Sequence, residues 1–210
     1  MKKLSILSLA AIFIAVGLLF PESELKAQYI KEWYSAGNSH TFGLKKSIYK
    51  KGSNSAFLEL TGKKENAGFV SFMQTCLADE FLGKRIKLTA YVKTKNASEN
   101  TGVWMNVFSE GRDKHLSFDN ILCFGNILIS GTKNWSKCEI LLDVPEESGT
   151  ISFGVSLVGR PSKIWFDFVS FEIVNKMDTE ITVSNEKYPI GPIVEPVIVL
   201  TERPTNLEFK

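Results

Sequence analysis

The tightest constraint on this chain is a two-residue rhythm. Between residues 86 and 94, Ile86, Leu88, Ala90 and Val92 alternate with Lys87, Thr89, Tyr91 and Lys93. An extended strand sends successive side chains to opposite faces, so it sorts such a run into one apolar and one polar side. Residues 102–108 repeat the rhythm with Val103, Met105 and Val107 against Trp104, Asn106 and Phe108, so that both faces carry bulk. Further extended runs are read at 56–60, 68–75, 138–144, 150–158 and 163–174, broken by polar turns around Gly62, Gly83, Gly149 and Pro161. No apolar period of 3.6 is sustained, and 75–81 has room for a single helical turn. Many short strands joined by polar turns imply an all-β chain: two antiparallel sheets packed face to face as a jelly-roll β-sandwich.

The ends read differently. Lys2 and Lys3 precede an apolar stretch at 4–20, and polar residues then lead to Ala27 before Gln28. Positive region, apolar region and small residue stand in the order of a secretory signal peptide. The apolar stretch is at the short end of the roughly 17–25 residues that a spanning helix needs. The chain is therefore expected to divide into a signal peptide at 1–27, a β-sandwich module at 28–176 and a tail at 177–210. Pro189, Pro192, Pro196 and Pro204 punctuate that tail, which suits a linker or the start of a truncated second module. An exported protein, periplasmic or extracellular, with no stable membrane insertion after cleavage, is the expectation.

Composition agrees with one ordinary core: 210 residues less the two ends leave about 150, the size of one domain. Fifteen Phe, five Tyr and four Trp suit a β-rich chain, because broad side chains pack well on a pleated surface. A net charge of +2, with no dense basic cluster interleaved with aromatics, points away from nucleic acid. Cys76, Cys123 and Cys138 lack the spacing of a zinc or redox pair. In an exported chain they allow a Cys123–Cys138 bridge, and buried free thiols on strands are the plainer alternative.

The residues that carry chemistry are few. His40 and His115 stand singly in polar, turn-like stretches and read as surface histidines, and the common hydrolase and nucleotide signatures are absent. Asp119, Asp143, Asp167 and Glu172 lie on or beside strands, but glycoside hydrolysis needs two carboxyls at a defined separation that a sequence does not supply. The chain is read as non-catalytic. A sugar site on a sandwich combines an aromatic platform with amides and carboxylates that bond hydroxyls. Gln74, Tyr91, Trp104, Asn106, Asp119 and Asn120 are the candidates, with Tyr91, Trp104 and Asn106 on the less aliphatic sides of their strands. The bland alternative is that Trp104 is core and that the module is structural or binds a protein partner.

Several phrases in succession resemble a known group. They are the residues at 33–39 beginning Trp33-Tyr34, 55–58, 68–74, 83–94, 102–107, 116–120, 129–135 ending in Trp135, 142–145, 151–155 and Ile164-Trp165-Phe166-Asp167. Together they resemble the galactose-binding-like β-sandwiches that include family 4 and 9 carbohydrate-binding modules. More closely they resemble an ancillary module found beside bacterial erythromycin esterase-like and peptidase domains and in some transcriptional regulators. The resemblance implies a sandwich that binds carbohydrate or accompanies an enzyme, and it casts Trp33, Trp135 and Trp165 as packing residues. It also implies a structural calcium at Asp167, against the alternative of an Asp satisfied by turn amides. Asn106 stands where the related modules commonly carry Arg, so no ligand contact of that Arg carries over. The segment 204–209 resembles the opening strand of a further module.

Overall fold

A computed structural model describes residues 30–37, 39–46, 54–61, 68–98, 101–112, 114–121, 129–175 and 200–209, the side chains of 118–121 excepted. The strands are β1 Tyr34–Gly37, β2 His40–Lys46, β3 Asn54–Leu60, β4 Gly68–Leu77, β5 Arg85–Ala97, β6 Gly102–Ser109, β7 His115–Ile121, β8 Gly131–Asp143, β9 Ser148–Gly159, β10 Ser162–Val174 and β11 Leu200–Thr201. One short 3-10 turn, Asp79–Phe81, sits where a single helical turn was expected. The strands form two sheets, β1-β4-β9-β6-β7 with β11 added beside β4, and β2-β3-β10-β5-β8. The all-β sandwich read from the alternation is the observed architecture.

The alternation sorts as expected. Ile86, Leu88, Ala90 and Val92 of β5 and Val103, Met105 and Val107 of β6 are all buried between the sheets. The same face of β9 supplies Ile151, Phe153, Val155 and Leu157, and β10 supplies Ile164 and Phe166. Trp33 is the centre of this core. Its ring lies 5.3 Å from Phe72, 5.6 Å from Phe153, 5.4 Å from Phe166 and 5.3 Å from Phe209, so one indole touches both sheets and the carboxy-terminal segment.

That last contact alters the reading of the tail. Residues 200–209 are part of the sandwich. β11 runs parallel to β4, pairing Leu200 with Thr75 and Thr201 with Cys76, on the edge that β1 covers higher up at 70–73. Phe209 is fully buried against Trp33 and Phe166. Backbone groups are satisfied across the gap in sequence: Trp33 Nε1 donates to Asn206 O, Asn54 Nδ2 to Phe209 O and Asn206 Nδ2 to Lys31 O. Four prolines suggested a linker because proline breaks sheets, but the segment needs only two paired residues and one aromatic anchor. Residues 177–199, like the stretch 1–27 read as a signal peptide, lie outside the described residues.

Two other expectations change. Cys138 is disulfide-bonded, so the free-thiol reading fails for it, whereas Cys76 is free and fully buried; Cys123 lies outside the described residues. Trp165 is not core: it is half-buried on the outer face of β10, opposite Phe57, because Ile164 and Phe166 already take the inner positions.

Two outcomes follow from this packing. Phe209→Ala should cost about 3–5 kcal/mol of stability in urea titration, the usual loss for a fully buried Phe. A linker residue would cost nothing. Burial pushes the Cys76 thiol up to about 12, so Cys76 should resist a thiol reagent in the folded protein. It should react once the unreduced chain is unfolded, and Cys76→Ser should remove that signal.

Candidate functional site

The outer face of the six-stranded sheet is assembled from the residues that alternate with the core. In β9 these are Thr150, Ser152, Gly154 and Ser156, all small. Register carries each of them across the sheet. Gly154 lies between Met73 of β4 and Trp104 of β6, with Tyr34 of β1 beyond Met73. Ser152 lies between Thr75 and Asn106, and Thr150 between Leu77 and Phe108. The result is a floor of small residues in β9, with Trp104 and Phe108 on β6 to one side, Met73 and Leu77 on β4 to the other, and Tyr34 on β1 beyond. Gly154 has no room for a side chain, since a Cβ there would collide with the Phe72 carbonyl.

The floor is internally wired. The Tyr34 hydroxyl is 2.6 Å from Thr75 Oγ1, which is 2.8 Å from Ser152 Oγ. Trp104 Nε1 donates to Ser71 Oγ at 3.1 Å, and that hydroxyl donates to the Val155 carbonyl. Asn106 Nδ2 lies 2.7 Å from His115 Nδ1, and the His115 ring packs 4.7 Å from Phe108. The Arg112 guanidinium, carried on the turn between β6 and β7, sits 4.9 Å from the centre of the same Phe108 ring. Two buried atoms on this face have no hydrogen-bond partner among the described residues: Asn106 Oδ1 and Thr150 Oγ1. Such atoms cost roughly 1–3 kcal/mol each when left unmade, and they mark where a hydroxyl or a water is wanted.

Charge states follow from burial. Desolvation raises the Tyr34 phenol above its ordinary value, and the hydrogen bond to Thr75 and the nearby Arg112 charge pull it partly back. Desolvation lowers His115, and it lowers His40, where a bond with the Gly37 backbone opposes it. Both imidazoles are therefore held toward the neutral form.

The sequence candidates distribute unevenly over this geometry. Trp104 and Asn106 stand side by side on the outer face. Asn120 pairs with Trp104 across β6 and β7, whereas Asp119 pairs with the core residue Met105; neither side chain is among those described. Tyr91 belongs to β5 of the opposite sheet and faces outward there, edge-on to Phe168 at 5.9 Å, with the whole core between it and Trp104. Gln74 points inward, is fully buried, and exchanges two 2.9 Å hydrogen bonds with the Thr205 backbone. It anchors the carboxy-terminal segment. Period two alone placed Gln74 on a strand but did not say which face it takes.

Asp167 is buried, and its carboxylate accepts from Ser55 Oγ and from the Phe168 amide, both at 2.8 Å. It pins a bulge between Asp167 and Ser170, where Phe168 takes a left-handed φ of 52°. Calcium wants six to eight oxygens. Among the described residues no group of three His, Cys, Asp or Glu gathers there or elsewhere. Asp143 and Glu172 pair with Arg85 and Lys87.

Tyr34, Thr75, Phe108, Arg112, Thr150 and Ser152 were not singled out from the sequence. One signal was present, because Thr150, Ser152 and Ser156 alternate with Ile151, Phe153 and Val155 and so announce a polar outer row. His115, read as a loop residue, opens β7 and touches Asn106.

No family model matches the chain. It is 37% identical over 180 residues to a protein of Bacillus subtilis (strain 168) named an uncharacterized HTH-type transcriptional regulator, YbfP. The match covers 84% of this chain and 58% of that protein, so the chain spans little more than half the relative's length. Among solved structures, the enzymatically active domain of tailspike protein 4 of bacteriophage CBA120 superposes with a TM-score of 0.52 at 13% identity, over 71% of this chain and 20% of that one. The CBM22-1 xylan-binding domain of Paenibacillus barcinonensis Xyn10C gives 0.47 at 11% identity, over 71% and 90%.

A pH dependence follows from the two histidines. Their folded-state values are depressed, so between those values and the ordinary 6.5 the unfolded chain binds more protons. Their contribution to stability should be complete above 6.5 and lost as pH falls through the depressed values. Thermal melts from pH 7.5 down to 5 should fall less steeply in His115→Gln than in the parent.

Proposed function

We propose that this chain is an exported, non-catalytic β-sandwich module that binds carbohydrate on the outer face of its six-stranded sheet. The observation that carries the reading is the half-buried Trp104 beside a buried polar floor in which Asn106 Oδ1 and Thr150 Oγ1 have no partner among the described residues. A pyranose ring presents an apolar face and a rim of hydroxyls. An indole takes the first and a row of amide and hydroxyl groups takes the second. When the side chains over the floor move to admit a ring, a sugar hydroxyl donating to Asn106 Oδ1 relieves the cost of that orphaned acceptor. The hydrogen-bonded Tyr34, Thr75 and Ser152 chain fixes the floor in advance, which lowers the ordering cost of binding.

Export is supported by the amino-terminal pattern of residues 1–27 and by the disulfide at Cys138, which suits an oxidising compartment. The carboxylates Asp143, Asp167 and Glu172 are each engaged by a different neighbour and converge on no common point, which favours binding over hydrolysis.

The test is a glycan array and affinity gel run on the full chain, because a fragment ending at residue 176 would lack Phe209. Trp104→Ala, with its melting temperature checked, should weaken binding about tenfold or more, the effect of losing roughly 1.4 kcal/mol of stacking. Binding to no glycan at all, or unaltered binding by the variant, would overturn the reading.

A further inference from the structure

Arg112 gives the face a charge that a neutral sugar does not need. It sits in the turn between β6 and β7 with φ 59°, and its amide donates to the Ser109 carbonyl, so its backbone is set by the hairpin. Its guanidinium is half-buried over Phe108, whose own position on the sheet is opposite Thr150. It is close enough to act electrostatically on the Tyr34 phenol, three strands away at the other side of the floor.

Two other arginines of the sandwich are already engaged. Arg85 makes a two-pronged pair with Asp143, and Arg160 donates to the Asn96 and Ala97 carbonyls. Among the described residues Arg112 makes no ion pair, not even with Glu110 in the same turn, and Asp113 lies outside the described residues. The described side chains of the outer-face rows, from Tyr34 through Thr75, Ser152 and Thr150 to Asn106 and His115, include no carboxylate. The planar edge of a guanidinium matches a carboxylate bidentately.

Resting on the carbohydrate reading above, we propose that the sugar this face takes is acidic: a uronic acid residue whose carboxylate is received by Arg112 while its hydroxyls meet Asn106 and Thr150. Arg112 then sets specificity, and Trp104 and the polar floor supply affinity for the ring. His115, held toward neutral, adds no second positive charge at pH 7.

The experiment is affinity electrophoresis of the full chain in gels containing polygalacturonate, the same polymer with its carboxyls methyl-esterified, or neutral galactan and xylan. Polygalacturonate should retard the protein about tenfold more strongly than its ester, the scale of one charge-assisted pair. Arg112→Ala should erase that difference. Lys93→Ala removes an equal charge from the outer face of the opposite sheet and should preserve it. Equal retardation by the acid and its ester, or a preference that survives Arg112→Ala or is lost equally in Lys93→Ala, would overturn the acidic-sugar inference. In those cases Trp104-dependent retention by a neutral polymer would leave the carbohydrate reading standing. Retention by none of the polymers would overturn both.

Discussion

The indole of Trp33 is the interaction on which the rest of this structure depends. Phe72 and Phe153 meet it from β4 and β9, Phe166 from β10 of the other sheet, and Phe209 from the far end of the chain. Aromatic pairs at this spacing add to the area they bury. More important here is their phase. A strand that commits Phe153 inward must present Ser152 and Gly154 outward, and one that commits Phe72 inward must present Ser71 and Met73. The aromatic cluster therefore fixes which residues of β4 and β9 form the outer floor. It also makes the floor rigid, because a strand clamped at alternate residues cannot slide by one without exposing its core set.

Stability is not maximised on that floor. Three small polar residues and a glycine fill four successive outward positions of β9, and two buried polar atoms of this face have no partner among the described residues, where branched apolar residues would pack a sheet better. Departures of this kind from a self-consistent fold gather where a surface serves something other than folding. The Tyr34, Thr75 and Ser152 chain shows the same bias, since three neighbouring hydroxyls are held in line on a face that the core does not need.

How much of this could be read in advance divides cleanly by range. Alternation in residues 86–94 and 102–108 announced β5 and β6 and assigned their inner faces correctly, because pleat is a local property. Trp104 and Asn106 were legible for the same reason. Tyr91 was assigned a polar face correctly but placed on the same surface as Trp104, since a sequence does not say which of two sheets a strand joins. Gln74 failed differently: its amide bonds a backbone 131 residues away, and no local pattern reports a partner that distant. The carboxy-terminal segment was misjudged on composition, where prolines outweighed the single phenylalanine that decides its place. His115 and Arg112 belong to the β6–β7 hairpin, whose turn brings them onto Phe108 by a contact that only the folded hairpin creates.

The two outer faces together explain why one of them is the candidate site. Tyr91, Trp165 and Phe57 give the five-stranded sheet an aromatic outer surface too, so aromatics alone do not distinguish the faces. The difference lies in what surrounds them. On the five-stranded sheet Lys163 covers the Phe57 ring at 4.0 Å and is itself paired with Glu59, while Lys137 pairs with Glu139 and Lys87 with Glu172. Those rings and charges are satisfied by each other and gain little from a ligand. On the six-stranded sheet Trp104 shares its face with the Thr150 hydroxyl and the Asn106 amide oxygen, which have no partner among the described residues, and Arg112 makes no ion pair among them. An incompletely bonded face exchanges less of its own bonding for a ligand's than a complete one does, and that asymmetry is why the sheet built on β4, β9 and β6 is the candidate.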